Sequence, residues 1–273
     1  MQNSNKSEKS RGAVIFAFNS LRVDYVKIAE RSAKLIKHFL QIPVTVVTDS
    51  ELTNNVFDQV VKIENKDSNF RYTSDGKTTE WRNFGRHLAY ELTPYDETIL
   101  IDADYFVLDS NLNKFWSTDF DYKIVTTSNT PDQTMSNAMG HRGFELLWAT
   151  VVMFRKTKFT QVFFNFISRV QKNYAYYYKL FNLTGPYRND FAFAIADLVI
   201  NGYTKDSKNY FHNAMLTIEQ PIKDIEIQNS LLVVRESQRA HVIPQQNIHI
   251  MDKDFLMGDN CRNFVERIVS EPT

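Results

Sequence analysis

Cysteine is nearly absent from this chain, with Cys261 the only one in 273 residues. A single thiol excludes an internal disulfide and a cysteine-cluster zinc site, and it fits a reducing compartment. Its ordinary fate is that of a small buried hydrophobe. Net charge is absent too: 32 Lys and Arg balance 32 Asp and Glu. No global field therefore gathers nucleic acid or an anionic bilayer, and any polyanion must be met by a local patch. The first eleven residues, Met1 to Arg11, are polar and charged, with no apolar run behind them long enough for a signal peptide or an anchor. They read as a disordered tail on a cytoplasmic protein that has no membrane partner. Glycine is missing where a phosphate loop would need it, since AFNSLRVDY follows the first apolar run. That argues against a sugar nucleotidylyltransferase. The first run also bears no acid, which argues against a phosphatase with an aspartate nucleophile there.

Ala13 to Phe18 is β-branched and aromatic, and behind it Tyr25, Ile28, Ala29, Ser32, Leu35, Ile36 and Phe39 fall on one helical face. This is a strand followed by a helix. Ile42 to Thr48 and Gln59 to Ile63 read as further strands, Thr79 to Leu92 as a helix, and Glu97 to Ile101 as a buried strand that stops at two acids. Strands separated by helices or long crossings predict an α/β fold, a Rossmann-type, mostly parallel sheet flanked by helices in a single domain. In the second half, Lys123 to Thr126 and Leu146 to Phe154 read as strands and Thr127 to Arg142 as a long polar loop. Lys158 to Leu183 reads as one long helix, and a second starts at Asn189 or Asp190 and runs to Ile200. Leu231 to Val234, Ile248 to Met251 and a helix over Asn260 to Val269 complete the chain.

Ligands of such sheets sit beyond the carboxyl ends of the strands, where Asn19, Asp49 and the triplet Asp102, Ala103, Asp104 fall. Residues two apart in an extended segment point to the same side, so both carboxylates can reach one ion. Carboxylates are hard oxygen ligands suited to Mg²⁺ or Mn²⁺. Such an ion bridging a diphosphate would neutralise charge on a leaving nucleotide. The plainer alternative is a pair of acids capping a turn. Arg82 and Arg86, four apart, would share one face of the preceding helix. Asp190 would open a helix after a Gly-Pro turn, where an acid is stabilised in any case.

The run ETILIDADYFVLDSNL, Glu97 to Leu112, resembles the Asp-x-Asp segment of GT-A-fold glycosyltransferases, including the glycogenin-like group. NIHIMDKDF, Asn247 to Phe255, resembles the segment where that group supplies a metal-binding histidine and then a diphosphate-binding lysine, although the glycines and the Pro-Trp pair that usually follow are missing. The resemblance implies a UDP-sugar donor, a metal held by Asp102, Asp104 and His249, and nucleotide contacts from Phe18, Asn19, Asp49, Arg82, Arg86 and Lys253. It makes 12–126 the donor half and 127–273 the acceptor half. Asp190 would be the catalytic base in an inverting enzyme or would orient the sugar in a retaining one, with Arg188, Asn189 and Trp148 toward the acceptor.

GAVIFAFNSLRVDYVKIAERSAKLIKHF and YRNDFAFAIA also resemble glycosyltransferase-like proteins of large tailed phages, some of which add glucose or arabinose to 5-hydroxymethylcytosine in DNA. That resemblance implies double-stranded DNA as a partner and the host cytoplasm as the location. Arg169, Lys172 and Lys179, at helical spacing, would bind its phosphates, and Trp148 or Tyr176 would hold a flipped base. A glycan or protein acceptor, or a non-catalytic nucleotide-sugar-binding module, remains open on these residues.

Overall fold

The computed structural model describes residues 9–271 apart from 53–54, 65–68, 73–77, 136–137 and 140–143. At its centre lie β1 (Arg11–Phe16), β2 (Val44–Thr48), β3 (Gln59–Lys62) and β4 (Glu97–Ile101), parallel and in the order β3-β2-β1-β4. Every residue of β2 and β4 is buried, as strands covered on both faces must be. The chain continues through β5 (Tyr105–Phe106), β6 (Tyr122–Val125), β7 (Ser128–Asn129) and β8 (Trp148–Arg155). β8 pairs antiparallel with β4, and β6 closes that edge antiparallel to β8. Gly12 lies where Tyr95 crosses β1, and a Cβ there would overlap the tyrosine ring.

Helices form two separate packed groups. α1 (Tyr25–Leu40) is capped by Asp24, whose side chain accepts from the amide of Lys27. The others are α2 (Lys158–Lys172), α3 (Tyr174–Leu180), α4 (Asn189–Ile200), α5 (Lys253–Met257) and α6 (Asp259–Ser270). α1 packs on α6, while α2 packs on α4 and on the 3-10 turn Asn83–Leu88. Cys261, on α6, is free and fully buried. Among the described residues no helix is long and apolar enough to cross a membrane.

Strands of the second half build a meander and, together with β5, a small mixed sheet. β9 (Met215–Ile218), β10 (Ile222–Gln228), β11 (Leu231–Glu236), β12 (Ala240–Pro244) and β13 (Ile248–Ile250) follow one another. β10, β11 and β12 make an antiparallel meander, and the order β5-β13-β9-β7 forms a small mixed sheet against the end of β4.

Four expectations need correction. Residues 1–8 lie outside the described residues, but Ser10 and Arg11 belong to the fold rather than to a tail: the Ser10 hydroxyl donates to Asp96 at 2.8 Å, and Arg11 opens β1. Thr79 to Leu92 is not one helix. Thr78–Trp81 is a strand, and the 3-10 turn follows with Gly85 out of helical conformation (φ −82°, ψ 17°). Only Ala89–Leu92 makes an α-turn. The long helix over Lys158 to Leu183 breaks at Asn173, whose side-chain amide donates to the carbonyl of Arg169 at 2.9 Å, a local bond that competes with helix continuation. The polar segment after Thr127 is not all loop, because Ser128–Asn129 pairs with β9.

Candidate active site

Asp102 stands just past β4, tied by its amide to the carbonyl of Thr150 on β8 at 2.9 Å. The segment is not extended. The amide of Tyr105 donates back to the carbonyl of Asp102 at 3.0 Å, so a tight turn brings the two carboxylates to one cavity. β5 then sets Tyr105 opposite His249 on β13, and the amide of Ile250 donates to the carbonyl of Asp104 at 2.9 Å. That stitch fixes the acids of the first half against the histidine of the second.

The cavity holds about 300 Å³ and is lined by Asp102, Asp104, His249, Lys253, Arg82, Arg188 and Asp190, with Phe16, Phe18, Tyr25 and Trp148 on its apolar wall. Lys253 Nζ donates to Asp104 Oδ2 at 2.6 Å, and His249 Nε2 stands 3.6 Å from Asp104 Oδ1. Burial alone would raise the Asp104 carboxyl, yet the Lys253 ammonium and the neighbouring imidazole hold it well below the usual carboxylate range. Asp102 is different: burial pushes it up to about 6 against the pull of Arg86, and the like charge of Asp104 adds to the rise. Asp190 Oδ1 accepts from the amide of Ala149 at 3.0 Å, and its Oδ2 is forked by Arg188 at 2.8 and 3.2 Å. Asp190 therefore does not cap its helix, and its carboxylate faces the site.

Some expected contacts lie elsewhere. Arg86 is 1% exposed and sits behind Asp102, bonded to that carboxylate and to the carbonyl of Ala149. It lines an adjoining recess and not the cavity that Arg82 lines, because the residues around it form a 3-10 turn and not the expected helix. Arg82 lines the cavity and donates to Asp49 at 2.5 Å and to the carbonyl of Asn19 at 2.8 Å. Asn19 spends its side-chain oxygen on the amide of Val26, at the start of α1. Neither Asn19 nor Asp49 lines the cavity. Asn189 is buried, and its amide donates to the carbonyl of Asn83 at 2.8 Å; it lines a small adjoining recess with Arg86 and Tyr187. Arg169, Lys172 and Lys179 lie on α2 and α3 and line no part of the cavity.

Sequence reading missed Asn83, whose amide donates to Asp102 at 3.3 Å, and Glu219, which follows β9 at the cavity wall. It also missed Thr217 beside His249. A hydroxyl inside the apolar run MLTI was the one signal available.

Among the described residues no three His, Cys, Asp or Glu side chains are already gathered as a metal cage. The donor chemistry nonetheless fits a hard divalent ion. Ligand atoms 3.6 Å apart are close enough to share an ion at about 2.1 Å from each. The Lys253 ammonium is the protein's own counter-charge to Asp104, and a bound ion would compete with it.

No family model and no curated protein sequence matches this chain. Among solved structures it is similar to the glycosyltransferase GlyE of Streptococcus pneumoniae TIGR4, at 12% identity and TM-score 0.42, over 74% of this chain and 44% of that one. It thus spans less than half of the pneumococcal protein. It is also similar to the galactosyltransferase LgtC in complex with donor and acceptor sugar analogues, at 14% identity and TM-score 0.44, over 67% of this chain and 70% of that one. A third likeness is to the bifunctional glycosyltransferase WbbM, at 11% identity and TM-score 0.41, over 78% of this chain and 40% of that one. Identities this low with TM-scores under 0.5 assign neither family nor activity.

Proposed function

We propose that this chain is a metal-dependent glycosyltransferase that uses a UDP-sugar. The observation that carries the reading is the convergence on one cavity of Asp102, Asp104, His249, Lys253, Arg188 and Asp190, delivered by separate segments to the carboxyl edge of a parallel sheet. Asp102, Asp104 and His249 would hold Mn²⁺ or Mg²⁺, and the ion would supply charge neutralisation on the leaving diphosphate. Lys253 and Arg82, two of the cations on the cavity wall, would meet the phosphate oxygens, and Phe18 would stack on the base. Arg188 and Asp190, on the same wall, would meet the transferred sugar. Both Asp190 oxygens already accept N–H donors, which favours an orienting role over that of a general base.

The acceptor in this reading is a hydroxyl small enough to enter beside Trp148, as on a glycan. Duplex DNA bearing 5-hydroxymethylcytosine is the alternative, carried by Arg169, Lys172 and Lys179, which stand away from the cavity. The test is mass spectrometry of glycan acceptors and hydroxymethylated DNA after incubation with Mn²⁺ and a panel of UDP-sugars. A sugar mass on DNA alone would make DNA the acceptor. UDP binding without transfer or donor hydrolysis would reduce the protein to a binding module. Asp104→Asn should abolish transfer and leave the circular dichroism spectrum unchanged; an active variant in the presence of chelator would remove the metal.

A further inference from the structure

β9 carries a threonine where its neighbours Met215, Leu216 and Ile218 are apolar, and the side chain is fully buried. A buried hydroxyl is costly unless it is hydrogen-bonded. Thr217 has two partners. Its Oγ1 lies 2.7 Å from Oγ of Ser128, itself fully buried on β7, and 3.4 Å from Nδ1 of His249. The register of the parallel pair β9 and β13 sets Thr217 directly beside His249. The three side chains thus form a row across three strands of the small sheet, from Ser128 through Thr217 to the imidazole, whose other nitrogen faces Asp104.

We infer that Thr217 is a positioning residue for His249. By accepting the Nδ1 proton it turns the ring and leaves the Nε2 lone pair directed at the cation site beside Asp104. With a cation between Nε2 and Asp104, Nδ1–H would donate to Thr217, the threonine hydroxyl would donate to Ser128, and Nε2 would carry no proton. An imidazole ligand requires this tautomer, because only an unprotonated nitrogen can coordinate, and the partner of the other nitrogen selects it. The inference rests on the metal-dependent reading and adds to it a residue outside the cavity wall.

The test is Mn²⁺ titration of the full chain by calorimetry in the presence of UDP, with Asp104→Asn as the control. Thr217→Val should weaken Mn²⁺ binding by about 10- to 100-fold, the usual cost of losing a partner behind a metal ligand. Thr217→Ser, which restores the hydroxyl, should stay within about threefold of the parent. In a His249→Ala background the valine should cost less than about twofold, because a residue that acts through another adds nothing once that other is gone. A loss that persists without His249, or a serine variant as weak as valine, overturns the assignment. If the parent and Asp104→Asn bind Mn²⁺ equally, the metal-dependent reading falls first and this inference with it. If the parent binds and Asp104→Asn does not, a full-affinity valine variant removes Thr217 alone.

Discussion

Glu97 opens β4 almost without contact with water, and two guanidinium groups neutralise it: Arg11 Nε at 2.7 Å and Arg155 Nε at 2.8 Å. Burial would raise its carboxyl, but Arg11 and Arg155 bring it below its ordinary value. A folded-state value below the unfolded one means that the pairing stabilises the fold above about pH 4 and is lost as pH falls through the folded value. Glu97→Gln should therefore cost about 2 kcal/mol at neutral pH, less than a wholly buried pair because Arg11 is half exposed. Urea midpoints should show that difference shrinking under acid conditions. Lys253 makes the opposite kind of contact, a cation held by an acid that has other work in the proposed reaction. Lys253→Gln should tighten Mn²⁺ binding roughly tenfold without nucleotide, since a competing charge is gone, and weaken UDP binding in the presence of Mn²⁺ by about as much. Calorimetry that found both affinities lowered would deny the exchange of lysine for metal.

β1 illustrates how an element tolerates a neighbour only by lacking a side chain. Tyr95 crosses it at Gly12 and bonds Oγ1 of Thr45 at 2.9 Å, so Gly12→Ala should destabilise the fold by about 1–3 kcal/mol, the range for overpacking, as thermal melts would show. The parallel strands were legible because their apolar runs are β-branched, continuous and bounded by turn residues. The meander was not, beyond β11. β10 has a register shift between Ile222 and Asp224 that breaks its alternation, and a four-residue apolar run such as β9 cannot be told from a piece of helix. Asp102 and Asp104 could be picked out by their place after a strand, whereas His249 and Lys253 were expected only from the resemblance carried by Asn247 to Phe255; all four line one cavity. Their geometry was not legible: Asp102 and Asp104 meet through a turn rather than along a strand, and Arg86 was misplaced together with the helix assumed to carry it.

At the scale of the whole molecule, the site joins residues from different halves of the chain, and the pairing of β13 with β5 is what sets His249 against Asp104. Its cations are local to the cavity, in keeping with a chain of formal net charge zero. Cys261 belongs to the helical group that follows Lys253, on α6 and packed against α1. Burial pushes its thiol up to about 11, so at pH 8 a thiol reagent should react with the native protein far more slowly than with the urea-unfolded chain, as absorbance would record. Because there is only one thiol, its labelling rate reports a single event, the opening of that packing. If that opening also releases the Lys253 segment, a bound ligand must slow labelling by the factor one plus its concentration over its Kd. UDP and Mn²⁺ could then be ranked, singly and together, by how long they shield one sulfur atom, before any acceptor is known.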